Sequence, residues 1–262
     1  MKSHNTWVFL RGLARESRHW GSFLAAFQQA LPDSNVITLD LPGNGQLYQQ
    51  RSPLSIQDMV VHCRAELVFR DIKPPYQVLA MSLGGMVSVA WAQTYPQEIA
   101  AQVLINTSMR PFSPFYQRLR PQNYLRLLKL LLGRANSETW EGTILELTSN
   151  RSTADVLPHW LALRQTHPVA NVNMLRQLIA AARFSANQHA PSAPTLVLAS
   201  LQDRLVAVAC SQHLAQAWAC PLRLHPNAGH DLTLDDGPWV ALQVSHWRTQ
   251  LFNTPHLEND TL

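Results

Sequence analysis

The run Tyr76-Gln77-Val78-Leu79-Ala80-Met81-Ser82-Leu83-Gly84-Gly85-Met86 constrains this chain more than any other stretch. An apolar segment of strand character ends at a serine, two glycines follow, and Met86-Val87-Ser88-Val89-Ala90-Trp91-Ala92 continues as a buried helix. A serine at a sharp strand-to-helix turn has its hydroxyl held away from the backbone. It also sits at the N-terminus of a helix, where free N–H groups stabilise an anion.

The segments around this turn repeat its strand-then-helix logic. Residues 6 to 10 read as a buried strand running into Arg11-Gly12-Leu13-Ala14, and Trp20, Phe23, Leu24, Phe27 and Leu31 have helical spacing. Asn35 to Leu39 is a second strand, ending at the turn Asp40-Leu41-Pro42-Gly43-Asn44-Gly45. Ser55 to Phe69 is a helix with Ser55 as its N-cap, and Ile99 to Ile105 is the strand after the opening run. Such alternation argues for a parallel sheet covered by helices on both faces.

The pattern breaks at about Pro111. From there to Ala190 only helix-like pieces occur: Asn123 to Leu132, Ser137 to Thr148, Thr153 to Gln165 and Val172 to Arg183. The expected division is therefore a core of residues 1–110 and 191–262, with a helical cap at 111–190. The cap segment has an excess of basic side chains, read as solvated helix faces or as a cationic mouth for an acidic substrate. Pro194 to Ser200 resumes the sheet, and Val208 to Ala219 is a helix. Pro221 to His225 is a last short strand, and Trp239 to Leu251 closes the chain before a loose polar tail from Asn253.

Composition removes several function classes. Hydrophobic residues at 46% and charged residues at 15% suit a sizeable core rather than disorder. The net charge of +4 comes without a compact Lys/Arg run, which argues against nucleic acid as a partner. No apolar run is long enough to span a bilayer. Cys63, Cys210 and Cys220 have neither metal-type nor disulfide-framework spacing and fit a reducing compartment, so a cytoplasmic protein is expected. No metal-ligand cluster and no nucleotide-binding glycine loop occurs, and no cofactor is expected.

In open parallel sheets, ligands gather beyond the carboxyl ends of the strands. Gly12-Leu13, Ser82, Asp203 and His230 all lie just past such ends. A serine hydroxyl is a poor nucleophile without a base to take its proton and a third group to orient that base. The order Ser82, Asp203, His230 supplies those parts. Asn106-Thr107-Ser108, after the strand ending at Ile105, offers no competing carboxylate, and His225 is the weaker candidate for the base.

With these residues in place the chain resembles the α/β-hydrolase fold superfamily, as a carboxylesterase-like member with a helical cap, over nearly its whole length from Trp7 to Leu251. Ala80-Met81-Ser82-Leu83-Gly84-Gly85 stands where the family has Gly-x-Ser-x-Gly-Gly. Asp40 to Gly45 matches its Asp-x-x-Gly-x-Gly loop, with Asn44 where histidine is common. Gly229-His230-Asp231 is intact, and Arg11-Gly12 replaces the usual His-Gly. The resemblance implies an oxyanion hole from the backbone N–H groups of Leu13 and Leu83. The family's N-terminal hairpin has no counterpart here, so about six parallel strands are expected. Arg11 is a candidate cation for a carboxylate substrate, beside the ordinary reading of a long cation lying on the surface, and Trp20 is a candidate pocket residue, beside the ordinary reading of core packing.

The implied reaction is hydrolysis of a small carboxylic ester, thioester or lactone through an acyl-enzyme on Ser82. Two alternatives stand beside it. One is a lyase using the triad for proton abstraction on an acidic substrate, like the menaquinone-pathway synthase. The other is a non-catalytic ligand-binding relative.

Overall fold

The structure, a computed structural model, describes residues 5–132, 136–151 and 154–253. Six strands form one sheet: β1 (Thr6–Leu10), β2 (Asn35–Leu39), β3 (Tyr76–Met81), β4 (Ile99–Ile105), β5 (Thr195–Ser200) and β6 (Leu222–His225). Their order is β2-β1-β3-β4-β5-β6, and every neighbouring pair is parallel, as expected. From β1 the chain runs outward to β2 and then crosses back to β3. The crevice between the carboxyl ends of β1 and β3 is therefore the topological switch point, where open α/β sheets place ligands.

Strand side chains alternate between two faces because successive Cβ atoms point oppositely. Val8, Leu10, Val78, Ala80 and Leu104 pack into one core, against helices α2 (Ile56–Phe69) and α3 (Leu83–Thr94). Trp7, Phe9, Leu79, Met81, Val103 and Ile105 pack into the other, against α1 (Phe23–Ala30) and the closing helix α11 (Gly237–Asn253). The inner strands β1, β3, β4 and β5, covered on both faces, read as nearly continuous apolar runs, which is why they were visible in the sequence.

The Ser55 hydroxyl caps α2 by accepting from the Asp58 N–H at 3.1 Å. The helix expected from Trp20 instead begins at Phe23. Gly21, at φ +50°, interrupts it after a single 3₁₀ turn over Ser17–Trp20.

Between β4 and β5 lie α4 (Phe115–Arg118), α5 (Tyr124–Leu132), α6 (Ser137–Thr148), α7 (Val156–Thr166) and α8 (Asn171–Arg183). The described residues of this segment form helices and no strand of the sheet. Thr153, the expected start of one helix, falls outside the described residues, as does the polar tail beyond Asn253. After β5 come α9 (Ala209–Ala217) and, beyond β6, the short α10 (Leu232–Asp235). Among the described residues no helix is long and apolar enough to cross a membrane.

Candidate active site

Ser82 links β3 to α3 with φ 53° and ψ −114°. A non-glycine residue with positive φ costs of order 1–3 kcal/mol and persists only where its surroundings hold it. Here they do. The Ser82 N–H donates to Ile105 O at 2.9 Å, and its carbonyl accepts from the Thr107 hydroxyl at 2.8 Å and the Gly85 N–H at 3.0 Å.

The two glycines answer to crowding. A Cβ on Gly84 would lie 2.5 Å from Leu10 O, and one on Gly85 would lie 2.6 Å from Thr107 Oγ1. Ala80, at the position where glycine is usual, is in register with Leu10 and Leu104, and its methyl is buried in the core. Ser82 itself is half-buried between the buried Met81 and Leu83.

The loop after β5 carries Asp203, 3% exposed, and the loop after β6 carries His230, 4% exposed. Asp203 Oδ1 accepts from the N–H groups of Leu205 (2.8 Å) and Val206 (2.9 Å). Its Oδ2 lies 2.7 Å from His230 Nδ1. A carboxylate here requires Nδ1 to carry the proton, so Nε2 is the acceptor, and it makes no other hydrogen bond among the described residues. Burial alone lowers the pKa of the ring. The carboxylates of Asp203 and Asp231 outweigh it, and the net direction is upward from the ordinary histidine value.

Asn106, at φ 45°, donates from Nδ2 to His230 O at 2.7 Å and accepts the Ser200 N–H at 2.9 Å. Ile105-Asn106-Thr107 therefore holds the serine turn on one side and the histidine loop on the other. Among the described residues no hydrogen bond joins Ser82 Oγ to His230. Such bonds are often long in an unliganded site and tighten when substrate arrives.

The end of β1 lies against the serine. A Cβ on Gly12 would be 3.2 Å from Ser82 Cβ and 3.8 Å from Ser82 Oγ. The next residue, Leu13, and the one after the serine, Leu83, both have backbone N–H groups that donate to no other group among the described residues.

Arg11 does not face open space. Its guanidinium, 2% exposed, forms a two-pronged ion pair with Asp231, Nη1 to Oδ1 at 3.2 Å and Nη2 to Oδ2 at 2.5 Å. Nη1 also reaches Thr233 Oγ1 (3.1 Å) and Met81 Sδ (3.4 Å). The candidate cation for a substrate carboxylate is thus neutralised inside the protein. Trp20 is equally internal: it packs on Phe9 at 5.1 Å and lies under the Arg11 guanidinium at 4.8 Å, in the α1-side core rather than along an open pocket.

His225 also meets a carboxylate, Asp236 Oδ2 at 3.1 Å, but its Nδ1 accepts the N–H groups of Ala228 and Asn227, which makes it a brace for the turn. No cluster of three potential metal ligands occurs among the described residues. Sequence reasoning missed Asn106, Thr107 and the partner of Arg11. The position of Asn106 just past the end of β4 was the available signal for it.

Residues 7–243 match the profile of the alpha/beta hydrolase family. A candidate carbamate hydrolase, RutD, of Pseudomonas savastanoi pv. phaseolicola (strain 1448A / Race 6) is 31% identical over 228 residues, 80% of each chain. A pimeloyl-acyl-carrier-protein methyl ester esterase of Xylella fastidiosa (strain M12) is 27% identical over 245 residues, covering 87% of this chain and 90% of its own. Among solved structures, the enol-lactonase from Burkholderia xenovorans LB400 superposes with a TM-score of 0.76 over 94% of this chain and 92% of its own. At 19% identity that is a likeness of fold.

Proposed function

The chain belongs to the alpha/beta hydrolase family, and we propose that it cleaves a small carboxylic ester through an acyl-enzyme formed on Ser82. The observation that carries this reading is the 2.7 Å contact of Asp203 with His230 Nδ1, which leaves Nε2 as a free acceptor in a site shared with a strained, half-buried serine. Nε2 takes the Ser82 proton as Oγ attacks the substrate carbonyl, and Asp203 steadies the imidazolium that forms. The uncommitted N–H groups of Leu13 and Leu83 receive the oxyanion. Each such donor is worth about 2.7–4 kcal/mol in the transition state. His230 returns the proton to the leaving alcohol, and water then releases the acyl group by the same steps in reverse order.

The chemistry named in the relatives supports an acyl substrate. A carbamate, a methyl ester and an enol lactone all present a carbonyl to a nucleophile. The reading as a lyase on an acidic substrate loses Arg11 as a binding cation, because Arg11 is paired with Asp231.

Residues 111–190 are assigned as a cap over the core of 1–110 and 191–262. The support is contact at the histidine loop. The Asp231 N–H donates to Thr148 O at 2.6 Å, and Asp235 accepts from the Ser149 hydroxyl and the Asn150 N–H.

A fluorophosphonate probe is expected to label Ser82. Ser82→Ala is expected to abolish labelling and to reduce turnover of short p-nitrophenyl esters to background. Wild-type protein that neither takes the probe nor hydrolyses any ester across a chain-length panel overturns the reading.

A further inference from the structure

Arg11 adjoins or touches a neighbour of three groups assigned to catalysis, Leu13, Ser82 and His230. It precedes Gly12-Leu13, which carries one oxyanion donor. Its Nη1 lies 3.4 Å from Sδ of Met81, the residue before Ser82. It grips both carboxylate oxygens of Asp231, the residue after His230. Thr233 completes the cluster by donating its hydroxyl to Asp231 Oδ1 at 3.0 Å, and the Trp20 ring covers the cation 4.8 Å from its centre. Nothing in the acyl-enzyme cycle uses this charge.

We propose that Arg11 and Asp231 are a positioning pair that holds the oxyanion loop, the serine turn and the histidine loop in one geometry and balances the charge beside His230. The proposal rests on the roles assigned to Ser82, His230 and Leu13 above.

Two physical arguments carry it. A planar guanidinium bonded to both oxygens of a carboxylate fixes direction as well as distance, which a lysine cannot do. It therefore sets how the end of β1 sits against the loop after β6. A buried ion is also costly unless paired, so each partner enforces the other. The charged groups facing the His230 ring are Asp203 from the loop after β5, Asp231 from its own loop and Arg11 from the end of β1. Asp231 favours the imidazolium and Arg11 opposes it, so the two partners act on the ring in opposite directions. Asp231 itself is held below the usual carboxylate range: burial pushes it up, and Arg11 and Thr233 more than reverse this. Asp231 therefore remains ionised wherever the base works.

The test uses Arg11→Met, Asp231→Asn, the double variant Arg11→Met/Asp231→Asn and Arg11→Lys. The His230 ring is titrated by NMR, with His230→Gln to assign its signals. Turnover of a p-nitrophenyl ester is expressed per serine labelled by the fluorophosphonate. Arg11→Met leaves a lone carboxylate beside the ring and moves the His230 midpoint up. Asp231→Asn leaves a lone cation and moves it down. The double variant brings the midpoint back between the two and still loses about 10- to 100-fold in kcat, the scale set by misplaced catalytic groups. Arg11→Lys keeps the charge and loses the fork, so its midpoint stays near wild type while kcat falls.

A pair that serves stability alone lowers the melting temperature of the single variants and leaves both the midpoint and kcat per labelled serine unchanged. That result overturns the proposal. If a single variant does not fold, wild-type kcat in the double variant overturns it equally. The titration needs no turnover. Opposite shifts in the two single variants, beside a wild-type protein that hydrolyses nothing, therefore support the charge balance while sinking the esterase reading, and the two failures remain distinguishable.

Discussion

Asp203 divides its oxygens between two tasks, and the division predicts what happens when its charge is removed. In Asp203→Asn the carbonyl oxygen can still accept from Leu205 and Val206, so the loop keeps its shape. The amide nitrogen then faces His230 Nδ1, which must become the acceptor, and the proton moves to Nε2 where the base is needed. The expected loss in kcat is about 10⁴-fold, with a melting temperature close to wild type.

The sign of the pH effect follows from the same contact. In its proposed role as base, His230 works only when neutral. Its raised pKa places the acidic limb of kcat/KM above the ordinary histidine value of 6.5. Removing the carboxylate leaves burial as the dominant influence, so any residual activity has its limb at lower pH. A pH-rate profile of both proteins checks this. Ser82, Asp203 and His230 were legible in the sequence because each follows a strand end within a short local pattern. Arg11 was not, because exposed arginine is the rule and its partner lies 220 residues away.

The turn from β3 to α3 is built by crowding. The backbone at the end of β1 comes so close to the first turn of α3 that only a hydrogen fits on Gly84, whose added Cβ would meet Leu10 O at 2.5 Å and Arg11 O at 2.7 Å. Both atoms are backbone within the sheet or its exit, so neither yields by a rotamer change. Gly84→Ala is expected to cost about 1–3 kcal/mol in urea unfolding and to reduce ester turnover further by shifting Leu13 relative to Ser82. A variant with wild-type stability and kcat would show that the approach is looser than described.

Elements of this kind were readable wherever apolar periodicity was strong, and all six strands were found. The helix expected from Trp20 was misplaced at its start. The apolar spacing continued through Gly21, and the positive φ that breaks the helix there leaves no mark on hydrophobic periodicity.

At the scale of the whole molecule, the helical segment is fastened to the core by buried charge. Glu141 on α6 accepts from Arg15 at 2.7 Å and from Arg164 of α7 at 3.3 Å. The two guanidiniums lie over the rings of Trp160 and Trp140. Two cations share one carboxylate in a nearly dry setting. Glu141→Gln therefore leaves both without a counter-charge and is expected to destabilise the protein by about 3 kcal/mol, read by equilibrium urea unfolding. A change below about 0.5 kcal/mol would mean that water reaches this cluster freely. The sequence showed an excess of basic residues in this segment and suggested solvated faces or a cationic mouth. Part of that charge is instead internal, a distinction that depends on which helix faces meet and is invisible to composition.

The 220-residue span between Arg11 and Asp231 gives the molecule a timetable. A growing chain has β1, β2, β3 and β4, with the strained serine, in hand once residue 105 has emerged. It then holds an arginine just past the end of β1 without Asp231, and about as much chain again must follow before that partner arrives. Until then that half of the sheet carries an unpaired cation that favours water over burial, which discourages early closure around an incomplete site. The pair therefore closes only once the loop after β6 is made, and a chain that ends before that loop presents Ser82 without His230 or Asp231.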